Sequence, residues 1–256
     1  GVTIVWYNYS APYGIVTRGD TDIKTVEDLE GKKLAMYTSS PAWLSGLRGN
    51  LAFAGLDLDD VDKLEVGGYS ACARAVGEGR ADFTYLYVGS SVTHEIAENP
   101  HGIRWIPLPH DNEEAWERYF EINPLFDKIV SRKGVESSHG VEMGQHPFVL
   151  WTYKDVNEDL IYECAKFFAE KHDKYKDKHP DLKDMSLENM LAFVQEGVGG
   201  PLHPGTVKYL KEIGEWSKED EEWNKNQWSL IKDLQAAWQK AIDEALEKGI
   251  KPDYQN

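Results

Sequence analysis

Residues 3–9 alternate in polarity and are rich in aromatics, which predicts a strand, and 14–18 predict a second. A turn at 19–22 separates them from a short capped helix at 25–29 that ends at Gly31. Apolar residues 34–37 predict a strand, and 44–54 a helix stopped by Gly55. Further strands are expected at 63–67, 81–88 and 103–108, with helices at 71–78 and 92–98. Residues 109–134 are less regular, with a helix at 113–121. After an apolar strand at 146–153 the pattern turns helical, at 157–175, 186–196, 204–213 and 223–248. The last helix carries Trp228, Ile231, Leu234, Trp238, Ile242 and Leu246 on one face, which reads as core packing.

Strand, small hydroxylated loop and helix recur three times between 34 and 98. The first loop is Thr38-Ser39-Ser40, followed by Pro41. Ser40 suits an N-cap and Pro41 the first helical turn, where its missing N–H is not needed. In the second, Gly68-Tyr69-Ser70, Ser70 is the expected cap, and the third is Gly89-Ser90-Ser91. Alternating strands and helices imply a parallel sheet, whose loops gather at one edge, where ligands bind. Free amides at helix N-termini suit an anion. The candidate ligand-binding residues are therefore Thr38, Ser39, Ser40, Ser70 and Ser90. Trp43, Tyr85, Tyr87, Tyr7 and Tyr9 are the candidate aromatic walls. Tyr85 and Tyr87 sit at the exit of their strand, two apart and so on one face. The alternative for each hydroxyl is simple capping, and for each aromatic ordinary packing.

The 256 residues suffice for one large or two smaller domains. The change from α/β to helix-rich character divides the chain into an α/β lobe at 19–107 and a second lobe formed by 1–18 and 108–256. The formal net charge of −16 argues against nucleic acid and anionic membrane as partners. Cys72 and Cys164 sit in separate predicted helices without a CxxC spacing, and read as free thiols rather than a disulfide or metal pair.

Tests for catalytic and metal motifs yield no assignment. His94-Glu95-Ile96-Ala97-Glu98 begins like HExxH but ends in Glu98, so the second histidine of a zinc face is missing. There is no GxSxG, GxGxxG or P-loop. Gly79 reads as a helix C-cap and His203, before Pro204, as structural. No catalytic residue, metal or cofactor is expected.

Four segments carry a family resemblance. Residues 15–34 resemble the strand, short helix and D-L-x-G-K of periplasmic solute-binding proteins. Residues 75–83, Ala-Val-Gly-Glu-Gly-Arg-Ala-Asp-Phe, resemble A-L-x-D-G-x-I-D-A-F, and 89–97 the segment that follows it. Residues 202–214, Leu-His-Pro-Gly-Thr-Val-Lys-Tyr-Leu-Lys-Glu-Ile-Gly, resemble L-H-P-G-A-x-x-Y-x-K-E-x-G. Together, over about 12–215, they are similar to the TAXI family, the solute-binding subunits of TRAP transporters. The resemblance implies an α/β fold of the type II periplasmic-binding class, two-lobed, with parallel-rich sheets and a helix-rich C-terminal third. It implies a periplasmic or extracytoplasmic location and a small organic acid or amino acid held between lobes. That ligand would be passed to integral membrane TRAP subunits. The loop matching Thr38–Ser40 would meet the ligand carboxylate, and the one after the strand ending at Tyr87 would line the cleft. Two departures stand out. Thr38-Ser39-Ser40-Pro41 replaces the usual G-S-G-T, and the family's glycine-rich N-terminal part has no match, so the chain is expected to start near the last strand of the first lobe. A sensing or scaffold module on the same fold is the alternative function, and an enzyme acting on a small carboxylate the third.

Overall fold

A computed structural model describes residues 1–124, 126–195 and 199–250. In chain order the elements are β1 (Val2–Arg18), β2 (Lys33–Met36), α1 (Pro41–Phe53), β3 (Asp62–Glu65), α2 (Tyr69–Gly77), β4 (Phe83–Tyr87), α3 (Ser91–Ala97) and β5 (Ile103–Trp105). They continue with α4 (Glu113–Ile122), β6 (Asp127–Val130), β7 (Glu142–Tyr153), α5 (Glu158–Glu170), α6 (His172–Tyr175), α7 (Leu187–Gln195), α8 (Pro204–Glu212) and α9 (Lys218–Glu247). The class is mixed α/β with a helix-rich C-terminal third, as expected. The described residues form two compact units, one within 11–146 and one within 1–10 and 147–250. The expected lobe of 19–107 falls inside the first of these, which also takes in 11–18 and 108–146.

In the 11–146 unit the strand order is β3-β2-β4-β1, with β5 also on β1. β2 runs parallel to both β3 and β4, whereas β1 is antiparallel to β4 and β5. β1 is one continuous strand, although two were expected around Ala11-Pro12. Pro12 is tolerated because its carbonyl still accepts from Val88 N–H at 3.2 Å, and a strand can dispense with one donor. The register sets Tyr13 opposite Tyr87, Ile15 opposite Tyr85 and Thr17 opposite Phe83. Ile15, Phe83 and Tyr85 therefore share a core with Leu34, Trp43, Leu47, Leu51 and Trp116. Val16 and Leu86 point the other way, into a second core with Val92, Ile96 and Trp105. β6 pairs antiparallel with the start of β7. It was not foreseen, because Asp-Lys-Ile-Val is too short and polar to show a period.

In the other unit the first residues of β1 are buried against α5, α7 and α8 through Ile4, Val5, Trp6, Ile161, Met190, Phe193 and Leu210. The Trp6 indole donates to Met185 O at 3.0 Å and Thr206 Oγ1 to Val5 O at 2.8 Å. His203 caps α8, its Nδ1 accepting from Gly205 N–H at 3.1 Å. The predicted helix at 157–175 is two, α5 and α6. α9 begins five residues earlier than expected, at a Ser217–Asp220 capping box. Its apolar stripe is not core: no α9 residue is buried among the described residues, and Leu234, Trp238 and Leu246 are more than half exposed. Periodicity signals an apolar face but not whether anything covers it.

Candidate functional site

The parallel strands β2, β3 and β4 end at the same sheet edge, and the loops 37–40, 66–68 and 88–90 leave from it. The buried Thr84 hydroxyl donates to Ala35 O at 2.8 Å, fixing β4 beside β2. Each loop opens a helix. Ser40 is the N-cap of α1, accepting from Trp43 N–H at 3.4 Å, and Pro41 is in the first turn. Ser90 is the N-cap of α3, accepting from Thr93 N–H at 3.3 Å.

The middle helix differs from expectation. α2 starts at Tyr69 and its N-cap is Gly68, so Ser70 lies inside the first turn with its side chain exposed. Gly68 has φ 154° and no side chain caps α2 among the described residues. Gly68, two residues before Ser70, takes a conformation at which glycine is most comfortable, and the helix starts at Tyr69, two residues earlier than expected.

Tyr69 ties the second loop to the third. Its hydroxyl accepts from Tyr87 N–H at 2.8 Å and donates to Ser90 Oγ at 3.3 Å. Ser90 Oγ and Thr93 Oγ1 lie 2.7 Å apart, and Thr93 Oγ1 donates to Tyr87 O at 2.9 Å. Tyr37 stands at the start of the first loop, its ring 4.7 Å from that of Trp43. Burial pushes both phenols above their ordinary value, so at neutral pH each is an uncharged hydroxyl. Thr38 and Ser39 are exposed at the rim.

The aromatic candidates separate by depth. Trp43 is buried and its indole donates to Tyr85 O at 2.8 Å. Tyr85 is 2% exposed, edge-on to Trp43 and stacked on Tyr13 at 5.2 Å. Its ring lies over Gly46 of α1, where a Cβ would stand 2.5 Å from the phenol oxygen. Burial holds its hydroxyl well above the usual phenol range. Tyr87 is half-buried, 5.5 Å from Tyr13. Both rings lie near Tyr13, but Tyr85 belongs to the core with Leu34 and Trp43, whereas Tyr87 packs against the one with Leu86 and Val92. The structure thus gathers Thr38, Ser39, Ser40, Trp43, Ser70, Tyr85, Tyr87 and Ser90 in one unit, around one sheet edge.

Tyr7 and Tyr9 belong to the other unit. Tyr7 is buried, its ring 5.2 Å from Phe193 and its hydroxyl 2.8 Å from Ser10 Oγ. Tyr9 stacks on Phe148 at 4.9 Å. Sequence reasoning missed Tyr13, Tyr37 and Tyr69. Tyr69 stands between two residues already singled out, and an aromatic in a small-residue turn was the available signal.

Among the described residues no cluster of His, Cys, Asp and Glu is arranged to hold a metal ion, and no helix is long and apolar enough to cross a membrane. Cys72 and Cys164 are free thiols, and burial pushes Cys72 up to about 11.

A family model described as the NMT1-like family matches residues 2–214. The chain belongs to the NMT1-like family. Its fold is a mixed α/β sheet with flanking helices. Among solved structures it is similar to the periplasmic sulfonate-binding protein SsuA of a sulfonate ABC transporter from Methylobacillus flagellatus KT. The identity is 16% and the TM-score 0.44, over 99% of this chain and 65% of that one. It is also similar to a periplasmic binding protein of an ABC transporter from Brucella ovis with glutathione bound, at 13% identity and TM-score 0.40, over 77% of this chain and 47% of that one. A third is the L-cystine solute receptor of Neisseria gonorrhoeae, at 21% identity and TM-score 0.31, over 48% of this chain and 54% of that one. The chain therefore spans 65% or less of the length of each of these structures.

Proposed function

We propose that this NMT1-like chain is an extracytoplasmic solute-binding protein that captures a small organic acid or amino acid without converting it. The observation that carries the reading is the convergence of three strand–loop–helix units on one sheet edge. That edge offers hydroxyls, phenols and helix N-terminal amides, all neutral donors. Such groups hold a carboxylate through charge-assisted hydrogen bonds and the helix dipoles. Thr38, Ser39, Ser40 and Ser70 would meet the carboxylate, with Tyr69 and Ser90 fixing the neighbouring loop. Tyr87 and Trp43 would face an apolar ligand body, and the buried Tyr85 would support Trp43 from beneath. Partnership with integral membrane TRAP subunits is supported by the L-H-P-G-…-Y-x-K-E-x-G segment at 202–214, which resembles the TAXI family. Binding rather than turnover is supported by family membership and by phenols that burial keeps protonated.

A thermal-shift screen of organic acids and amino acids tests the reading. A ligand at about 100 times its Kd adds roughly 2.7 kcal/mol, or about 5–10 °C in Tm. One chemical class is expected to give this shift and to be recovered unchanged. Absence of any such class, or recovery of an altered compound, would overturn it.

A further inference from the structure

The connection between β6 and β7 reaches the candidate site. Antiparallel neighbours can be joined by two residues, yet this connection runs from Ser131 to Val141. Its base continues the β6–β7 pairing, with Ser131 N–H donating to Val141 O and Gly140 N–H to Ser131 O, each at 2.9 Å. The length between is spent in crossing to the third loop. Val135 N–H donates to Val88 O at 3.1 Å. The Val135 side chain is buried with Val88, Val92 and Ile96, in the core against which Tyr87 packs.

Gly134 makes the closest approach. Its φ is 73°, in the left-handed region that favours glycine. A Cβ there would stand 2.2 Å from Val88 O and 2.8 Å from Gly89 N. Backbone meets backbone with no room for a side chain between, so the position of one sets that of the other. The connection is also stiffened from within. Ser131 and Ser138 are fully buried. The Ser138 hydroxyl lies 2.8 Å from Lys133 O and 2.7 Å from Val135 O, and Ser131 Oγ donates to Lys133 O at 3.4 Å. These bonds fix the carbonyls on either side of Gly134.

Tyr69 grips the same loop independently. Thr93 has one hydroxyl proton and gives it to Tyr87 O, so in its 2.7 Å contact with Ser90 the serine is the donor. Ser90 Oγ accepts from the Tyr69 hydroxyl and from Thr93 N–H. The Ser90 hydroxyl is therefore consumed within the chain, and the third loop serves a ligand through the Tyr87 ring. Two backbone bonds aim that ring: Tyr87 N–H to the Tyr69 hydroxyl, and Val135 N–H to Val88 O.

We propose that Gly134 is a positioning residue of the ligand site: it seats the β6–β7 connection on Val88 and Gly89 and so fixes the Tyr87 ring in its binding geometry. The proposal rests on the reading of this edge as a carboxylate site. Groups ordered before a ligand arrives cost less to order on binding, so loosening the seat weakens affinity.

Acetate, phenylacetate and glutamate, titrated calorimetrically into the parent, serve as probes, and the tightest-bound is carried to the variants. Gly134→Ala is expected to move the amide resonances of residues 87–90 in the ligand-free protein, leave those of Ser39 and Ser40 in place, and weaken binding about tenfold. Should Gly134→Ala fail to fold, Ser138→Ala gives a second reading. It loosens the same seat without adding an atom, and the same pattern is expected. Val26→Ala, buried in the same unit in the segment that leads into β2, is the control. It should lower the unfolding temperature yet bind as the parent does. A parent that binds none of the three acids would overturn the carboxylate reading and the proposal with it. A parent that binds, with seat variants that bind as tightly or leave residues 87–90 unmoved, would overturn the proposal alone. So would a Val26→Ala chain that loses as much affinity as they do.

Discussion

Gly49→Ala tests how α1, the helix that presents Ser40 and Trp43, is pinned in place. A Cβ at Gly49 would coincide with the Asn123 side-chain amide and stand 3.4 Å from the Tyr119 ring. Asn123 is 3% exposed and clamps Ser45 of α1 twice: its Oδ1 accepts from Ser45 Oγ at 2.7 Å, and its Nδ2 donates to Ser45 O at 3.0 Å. Displacing the amide breaks both bonds, each of about 0.5–1.5 kcal/mol. Overpacking adds about 1–3 kcal/mol. Against this, alanine is favoured over glycine inside a helix by about 1 kcal/mol. The expected net loss is about 3 kcal/mol, or roughly 6–12 °C in Tm. Asn123→Ala removes the obstacle, so Gly49→Ala in that background should be neutral or stabilising. Urea or thermal unfolding of the parent, the two single variants and the double variant closes the cycle. If the two effects simply add, or Gly49→Ala costs nothing alone, the clamp is not what holds α1 on α4.

Three further outcomes are expected. Ser40→Ala should lower stability by about 1 kcal/mol through the lost cap, whereas Ser39→Ala, exposed at the rim, should leave unfolding unchanged and weaken ligand binding by about 1–3 kcal/mol; isothermal titration and thermal unfolding of both variants separate the two roles. His203 is buried, and that burial holds its imidazole below the ordinary value, so the folded state binds fewer protons than the unfolded one. Stability should therefore fall as pH drops below about 6.5 and level off beneath the lower folded value; urea titrations from pH 8 to 5 read the slope, and His203→Asn, which keeps a cap acceptor, should flatten it. Cys72, protonated at neutral pH by burial, should resist iodoacetamide in the native protein and react on unfolding, as followed by mass spectrometry.

The edge of β2, β3 and β4 was legible because its signals are local. Apolar runs, small hydroxylated turns and helix starts follow one another, and Ser40 and Ser90 cap as their residue types require. The start of α2 was not, because Gly68 outranked Ser70 through backbone conformation, which a propensity for capping does not report. The depth difference between Tyr85 and Tyr87 was equally hidden. It depends on Gly46 allowing α1 close to the Tyr85 ring of β4, a contact between elements far apart in the sequence. The bridge from Tyr69 to Tyr87 and Ser90 is of the same kind. The exposure of the α9 stripe is a fact about what does not pack, and no periodicity in a single segment encodes it.

The central claim is that the loops 37–40 and 88–90 and the segment 66–70, a loop with the first turn of α2, together bind a small carboxylate. Backbone amide chemical shifts, followed during titration with the acid found by thermal shift, test it most directly. The account predicts saturable shifts at Ser39, Ser40, Ala42, Tyr69, Ser70 and Ser90, with one affinity at all three loops. Saturable shifts confined to other parts of the chain, or none at this edge with any stabilising acid, would contradict it.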